Sequence, residues 1–378
     1  MENAILIVDL GSSFLKGLGF FPSKEGAKIF DFYKKRYLPE KPQGIAKDLK
    51  LLLNYFANQI PLESVKLIVA LGEEIGIGDL SKVKFKRNNE KKSITKKEFS
   101  LMLKSVQEKS AREIENCFPK QKIILAFSEI ENIEIDGWES PSPINFSGSE
   151  IVLEVVNFYL PHKVFLVLKK VFSRAKIKDV ILVYFPKLLA KIFSQEGGFC
   201  SKIFIDIGGK STQIFETFYG KLEWVKKIPF GGDHFTQKIA EEFEIPFSAQ
   251  DFAEEIKKKM YQGFFAPYFK KRLEIVLNKA YLEWENLILD NLKRKKSPCE
   301  LYLLGGGSNL PLFNKLKRRL ENFYSFPIIQ KNLSNSAFLK GQEDLGISDP
   351  QMINLFLIAQ GISLGKILLS YNNFYDLF

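Results

Sequence analysis

Three short glycine-rich turns hold the residues whose types and spacing could do chemistry. In the first, the apolar run Ala4 to Val8 ends at Asp9; Gly11, Ser12 and Ser13 follow, and Phe14 to Phe20 resumes an apolar pattern that carries Lys16. In the second, Ile203-Phe204-Ile205 ends at Asp206, and Gly208, Gly209, Lys210, Ser211 and Thr212 lead into Gln213 to Phe218. In the third, Leu301-Tyr302-Leu303-Leu304 runs into Gly305, Gly306, Gly307, Ser308 and Asn309. Backbone N–H groups reach phosphate oxygens closely only where side chains are small or absent, and a carboxylate organises the Mg2+ that accompanies a nucleoside triphosphate. The first two turns are therefore expected to grip the phosphates of a nucleoside triphosphate from two sides. Asp9 and Asp206 would meet Mg2+ through water, and Lys16 would add charge. A single Asp-tipped turn is an ordinary hairpin; the succession of two such hairpins and a strand-Gly-Gly-Gly-Ser-helix element is what points to a nucleotide.

The elements that must position these turns read as follows. Each Asp-tipped turn sits between two apolar runs, so each is a strand-turn-strand hairpin, and the chain looks internally duplicated. Pro311 opens a helical pattern through Lys317, which places the third glycine cluster at a helix N-terminus. Between the two hairpins lies a stretch of different texture, beginning after the charge run Lys82 to Lys92. Thr95 and Glu98 hold capping-box spacing ahead of a helix whose apolar face is Phe99, Leu101, Met102, Leu103 and Val106. Two strands are expected at Lys122 to Phe127 and Ile151 to Tyr159, separated by the loop Asp136 to Pro143. Val164 to Ala175 reads as a helix, Val180 to Tyr184 as a buried strand, Pro186 to Phe193 as a helix, Gly231 to Arg294 as mostly helical, and Ile353 to Leu369 as an apolar core helix.

Composition narrows the function classes. At 378 residues with 46% hydrophobic content the chain is long enough for two or more lobes. No apolar run approaches the length that spans a bilayer. Cys117, Cys200 and Cys299 lie far apart without CxxC spacing, and His162 and His234 are too distant in sequence to suggest a histidine metal site. The formal charge of +11 is mostly lysine spread over solvated helix faces, with no aromatic-interleaved basic motif, so no nucleic-acid partner is expected.

The order of the three turns resembles the superfamily of actin, sugar kinases and heat-shock chaperones, and the resemblance covers nearly the whole chain. It implies an α/β, actin-like (ribonuclease H-like) duplicated two-lobe fold. Within the superfamily the chain is similar to the bacterial cell-division family FtsA. Ser93-Ile94-Thr95-Lys96-Lys97-Glu98-Phe99 and Ile135-Asp136-Gly137 through Ser147-Gly148 are worded like that family's inserted α+β subdomain. Ile228-Pro229-Phe230-Gly231-Gly232 is similar to its glycine pair before a helix, and Ala253-Glu254-Glu255-Ile256-Lys257 to its "AE.IK" motif. The resemblance implies that Glu254 and Lys257 contact the nucleoside, that Gly232 belongs to the nucleotide site, and that Gly306, Gly307 and Ser308 line the adenine side. The expected organisation is a first lobe at 1–83 and 163–196, an FtsA-type insert at 84–162, a second lobe at 197–230 and 296–345, a mostly helical part at 231–295, and a C-terminal helix at 346–378 returning to the first lobe.

Under the same resemblance the chain polymerises head to tail when ATP closes it, binds the C-terminal tail of FtsZ, and meets other division proteins through the insert. It would then lie in the cytoplasm at the inner face of the membrane at the division site. The helix from Pro186 to Lys191 offers no acid or amide to position an attacking water, so hydrolysis is expected to be slow or absent. Relatives in FtsA continue into an amphipathic membrane helix, whereas Tyr371 to Phe378 carries aromatics without lysine or arginine, so any membrane contact lacks a clear amphipathic anchor. Two alternatives stay open: PilM, the cytoplasmic actin-like component of type IV pilus assembly, and a small-molecule kinase. PilM lacks the Ile94-Thr95 and Asp136-Gly137 wording, and no kinase substrate signature is present. A chaperone would need a peptide-binding domain after Phe378.

Overall fold

Two five-stranded sheets share one connectivity. The first is ordered β3-β2-β1-β4-β9, with β1 Ile5–Leu10, β2 Phe14–Ser23, β3 Gly26–Arg36, β4 Lys66–Leu71 and β9 Asp179–Tyr184. The second is ordered β12-β11-β10-β13-β14, with β10 Ser201–Ile207, β11 Thr212–Phe218, β12 Lys221–Ile228, β13 Cys299–Leu304 and β14 Ile328–Lys331. The computed structural model describes residues 4–37, 42–73, 75–118, 121–195, 200–246, 267–292, 299–306, 315–325, 327–331 and 352–365. The duplication expected from the two hairpins is therefore a duplication of whole sheets. β1 pairs antiparallel with β2 and parallel with β4, while β10 pairs parallel with β13. Strands covered on both faces need continuous apolar runs, and Leu6, Ile7, Val8, Leu67, Ile68 and Val69 are all fully buried.

Residues 1–198, 217–225 and 355–378 form one compact unit, and residues 199–216 and 226–354 the other. In the first, helix α1 (Pro42–Ala57) buries Ile45, Leu49, Leu52, Leu53 and Phe56. Helix α3 (His162–Arg174) packs beside it with Val164, Phe165, Leu168, Val171 and Phe172 buried, and α4 (Phe185–Ile192) follows β9 directly. Part of helix α8 (Ile353–Ser363) belongs to this unit, where the Gln360 side chain accepts the Ala27 N–H at 3.2 Å. In the second unit, α5 (Gly232–Glu242) packs on α6 (Pro267–Asn291), and α7 (Leu316–Tyr324) precedes β14.

The segment between the hairpins forms a four-stranded antiparallel sheet, β5-β8-β6-β7, with β5 Ile77–Lys86, β6 Ile123–Ile135, β7 Trp138–Glu139 and β8 Glu150–Pro161. Helix α2 (Lys96–Glu115) covers one face, and Ile94, Met102 and Val106 meet Ile133, Ile135, Ile151, Leu153 and Val155 there. The alternate positions bear charge, with Lys82 2.5 Å from Glu154 and Lys84 2.6 Å from Glu150. This alternation of apolar and charged positions fixes the register, since a slip by one residue would turn the apolar set to water. Only half of the expected capping box forms. The Thr95 hydroxyl accepts the Glu98 N–H at 3.2 Å, but the Glu98 carboxylate turns to Arg87, 2.7 Å away, whose guanidinium holds it below the usual glutamate range. Instead of one loop from Asp136 to Pro143, Asp136 and Gly137 make a two-residue hairpin turn with positive φ (49° and 85°), the geometry that an Asp-Gly pair favours. The insert is pinned at its root by Glu73, whose Oε1 accepts both Tyr184 Oη–H at 2.7 Å and Gly78 N–H at 3.1 Å.

The first unit also contains a buried ionic cluster. The Glu131 carboxylate of β6 accepts hydrogen bonds from the Lys187 ammonium of α4 and from the Leu222 N–H. Lys187 lies 3.5 Å from Glu129, and Lys191 is 2.8 Å from the same residue. Burial pushes the Glu131 pKa up, against the opposing pull of Lys187. Removing one member of such a pair strands the other charge, so Glu131→Ala is expected to cost about 3–5 kcal/mol in urea unfolding. With its folded pKa above its unfolded value, Glu131 contributes most stability below the unfolded pKa and loses that contribution as pH rises through the folded one. Glu131→Gln should therefore flatten this part of the pH–stability curve, which unfolding midpoints across the acid-to-neutral range will check.

Candidate functional site

Parallel strands end on a common edge, and loops at their carboxyl ends are where open α/β sheets bind ligands. Asp9 is the penultimate residue of β1, opposite Lys16 on β2 and Ala70 on β4. Its carboxylate is 2.6 Å from the Lys16 ammonium, with both side chains largely buried. The turn between them contains Gly11 and the buried Ser12 and Ser13. Tyr37, just beyond β3, braces it from the side: its hydroxyl donates to the Gly11 carbonyl at 2.8 Å and its N–H to the Ser13 carbonyl at 3.0 Å. Sequence reasoning missed Tyr37, because nothing in its own neighbourhood shows that an eleven-residue strand returns it to this turn. Gly72, at the end of β4, borders the same place, since a Cβ there would lie 3.3 Å from the Leu10 carbonyl.

The second unit repeats the arrangement with additions. Asp206 is again penultimate in its strand, opposite Leu304 on β13. Gly305 follows with φ +79°, and a Cβ on it would sit 2.5 Å from Asp206 Oδ1 and 2.4 Å from the Ile207 carbonyl. The third glycine cluster thus begins against the second carboxylate, and only a residue without a side chain fits there. Gly306 is exposed beside it. The turn at 208–211 is closed by α5: Gly232 N–H donates to the Gly208 carbonyl at 2.8 Å and Asp233 N–H to the Gly209 carbonyl at 2.7 Å. A Cβ on Gly231 would come within 2.4 Å of the Gly209 carbonyl and 2.7 Å of the Ser211 nitrogen, so the approach is as close as backbones allow. The His234 Nδ1 accepts the Gly231 N–H at 3.1 Å, and its ring stacks on Phe230 with centroids 4.6 Å apart. Gly232 therefore acts on the turn through its backbone.

Thr212 serves the core. Its fully buried hydroxyl donates to the Phe230 carbonyl at 2.7 Å and accepts Trp284 Nε1–H at 2.9 Å, which ties α6 to the sheet. Asp206, Gly208, Gly209 and Ser211 remain at the turn. Glu254, Lys257, Gly307 and Ser308 lie outside the described residues. On α4, Lys187 and Lys191 are paired with Glu131 and Glu129 of β6. Among the described residues no group of three or more histidine, cysteine, aspartate or glutamate side chains is placed to hold a metal ion, and no helix is long and apolar enough to cross a membrane.

No family model matches this chain, and no curated protein sequence matches it. Solved structures do. The PilM–PilN type IV pilus biogenesis complex contains a chain similar at TM-score 0.61 and 17% identity, covering 96% of this chain and 99% of that one. The ethanolamine utilization protein EutJ from Carboxydothermus hydrogenoformans is similar at TM-score 0.50 and 14% identity, covering 94% and 89%. MreB5 of Spiroplasma citri bound to ADP aligns at TM-score 0.47 and 12% identity. The chain has the actin-like ATPase fold.

Thr212→Val should leave the Phe230 carbonyl and the Trp284 N–H unpaired in the core. A loss of about 1–3 kcal/mol is expected in denaturant unfolding. Tryptophan emission in a Trp138→Phe, Trp224→Phe background, where Trp284 alone remains, should report loosening at α6 through the same titration.

Proposed function

We propose that this chain is an ATP-binding scaffold that works by holding protein partners, with little or no turnover of ATP. The observation that carries the nucleotide part is the meeting of Gly305 with Asp206 across β10 and β13, beside a glycine turn closed by α5. A carboxylate beside small, backbone-rich loops suits a Mg2+ that keeps its waters and is held mainly by phosphate oxygens. In each unit the carboxylate of the turn, Asp9 in one and Asp206 in the other, is the group suited to meet such an ion through water. Lys16, already against Asp9, would balance phosphate charge, and Gly11, Ser12, Ser13, Gly208, Gly209 and Ser211 would present backbone or hydroxyl donors. Gly306, Gly307, Ser308, Glu254 and Lys257 would border the nucleoside. What ATP supplies is binding energy that differs between conformations, and so a shift in their populations. With both lysines of α4 engaged by Glu129 and Glu131, nothing on that helix serves to position an attacking water.

For the kind of scaffold, the end-to-end likeness to PilM supports an adaptor of the type IV pilus kind, since that protein was solved in complex with PilN. A second reading rests on the wording of Ser93 to Phe99 and Ile135 to Ser147. In it the chain is FtsA-like, polymerises head to tail, and links the tail of FtsZ and other division proteins at the inner membrane face.

Calorimetry with ATP and Mg2+ tests the nucleotide part on the wild type, Asp206→Ala and Gly306→Arg. Binding in the wild type with a loss of at least about tenfold in each variant is expected, a tenfold change being about 1.4 kcal/mol. A wild type that binds no nucleotide overturns this part. Pelleting the same samples separates the two scaffold readings: polymers formed only with ATP favour the FtsA-like one, and a nucleotide-bound species that stays unpolymerised favours the PilM-like adaptor.

A further inference from the structure

One end of the inserted sheet gathers features that its fold does not use. The turn at Asp136-Gly137, the loop from Arg87 to Thr95 and the loop from Ser140 to Ser149 are tied together there. The Ile94 N–H donates to the Phe146 carbonyl at 2.7 Å, the Gly148 N–H to the Glu90 carbonyl at 3.0 Å, and the Ser149 N–H to Asp136 Oδ1 at 3.0 Å. Arg87 spans the group, donating to the Gly148 and Lys92 carbonyls at 2.8 and 3.0 Å. The platform is built, and two large rings stand out from it. Trp138 is 80% exposed and Phe146 is 53% exposed. Trp138 lies opposite Ile135 and so shares the face that α2 covers further along the sheet. The turn beside it projects into open space, because a Cβ on Gly137 would meet nothing within 4 Å.

Charge accompanies the rings. Lys91, Lys92, Lys96 and Lys97 are exposed and have no carboxylate partner among the described residues. Of the acids at this end, Glu98 is held by Arg87, Glu139 by Lys221 at 2.9 Å and Glu150 by Lys84 at 2.6 Å, which leaves Glu90 and the hydrogen-bonded Asp136. The balance is basic. Exposed rings beside a turn that stands in open space suit a deformable surface better than the shaped pocket of a folded partner. Tryptophan favours the headgroup layer of a bilayer, and neighbouring lysines are drawn to anionic lipid.

We propose that this end of the insert docks on an anionic lipid surface, with Trp138 and Phe146 entering the headgroup layer and the four lysines meeting the lipid charge. The docking stands whether or not the chain binds nucleotide. It gives the molecule a membrane contact distant in sequence from its C-terminal aromatics.

The chain carries its own probe. It has three tryptophans, and Trp224 and Trp284 are 4% and 0% exposed, so a change in emission on binding reports Trp138. The full-length chain is mixed with vesicles of phosphatidylglycerol and phosphatidylcholine, with vesicles of phosphatidylcholine alone, and with a short DNA duplex as a soluble polyanion. A blue shift and co-sedimentation are expected with the anionic vesicles only, weakening as salt rises from about 0.1 M to about 1 M. Trp138→Ala combined with Phe146→Ala, and separately Lys91→Gln combined with Lys92→Gln, should each lower partitioning by about tenfold or more. Circular dichroism should show both variants folded, as all four positions are exposed. Unchanged Trp138 emission with anionic vesicles, or equal partitioning of folded variants and wild type, overturns the proposal. Salt-sensitive binding to the duplex in place of the vesicles also overturns it and assigns the surface to nucleic acid.

Discussion

Two strands that run parallel must end on the same edge of their sheet, and the loops that follow them must begin as neighbours. The pairing of β10 with β13 uses this constraint directly. Asp206 and Leu304 are register partners, so Gly305 emerges against the Asp206 carboxylate although nearly a hundred residues separate them in sequence. The same rule places Gly72 beside the Asp9 turn through β1 and β4. Without the parallel ladders the glycine turns would be isolated hairpin tips. With them, each unit presents a carboxylate, a small-residue turn and a neighbouring backbone at one edge.

Close backbone approach then decides which residues are tolerated. At Gly231 and Gly305 the adjacent carbonyls lie where a Cβ would be, so these positions are set by excluded volume before any ligand is considered. The α5 amides that would otherwise be free at a helix N-terminus are spent on the Gly208 and Gly209 carbonyls. That choice favours a rigid turn over a direct anion site at the helix end. The threonine next to it follows the same logic, joining strand, loop and α6 with one hydroxyl.

The insert follows a different design. Its sheet is antiparallel, and its two faces differ sharply, with an apolar set under α2 and charge pairs on the other side. Its attachment combines polar contacts, Glu73 with Tyr184 and Gly78 and Glu131 with Lys187 and Leu222, with the Phe158–Tyr184 ring contact at 5.1 Å. Burying a carboxylate is costly unless its hydrogen bonds are met, and the cluster at Glu131 meets them from elements far apart in sequence.

Local pattern was enough to show the strand-turn-strand hairpins, the buried strand at Val180 to Tyr184, the α2 start at Thr95 and the apolar helix beginning at Ile353, because strand alternation, turn chemistry and helix periodicity are written in neighbouring residues. The order of the three glycine turns likewise pointed to the actin-like fold. Pairings between distant strands were not legible in that way. The Tyr37 brace, the contact of Gly305 with Asp206 and the ion cluster on α4 all depend on register between segments tens of residues apart. Thr212 shows the difference most plainly: its type and spacing fit a phosphate turn, and its hydroxyl faces the core. The sequence by itself determined which residues had the chemistry for a nucleotide turn. Tertiary structure decided which of them are held at the edge and which are spent on packing, because side-chain direction follows from strand register and helix docking.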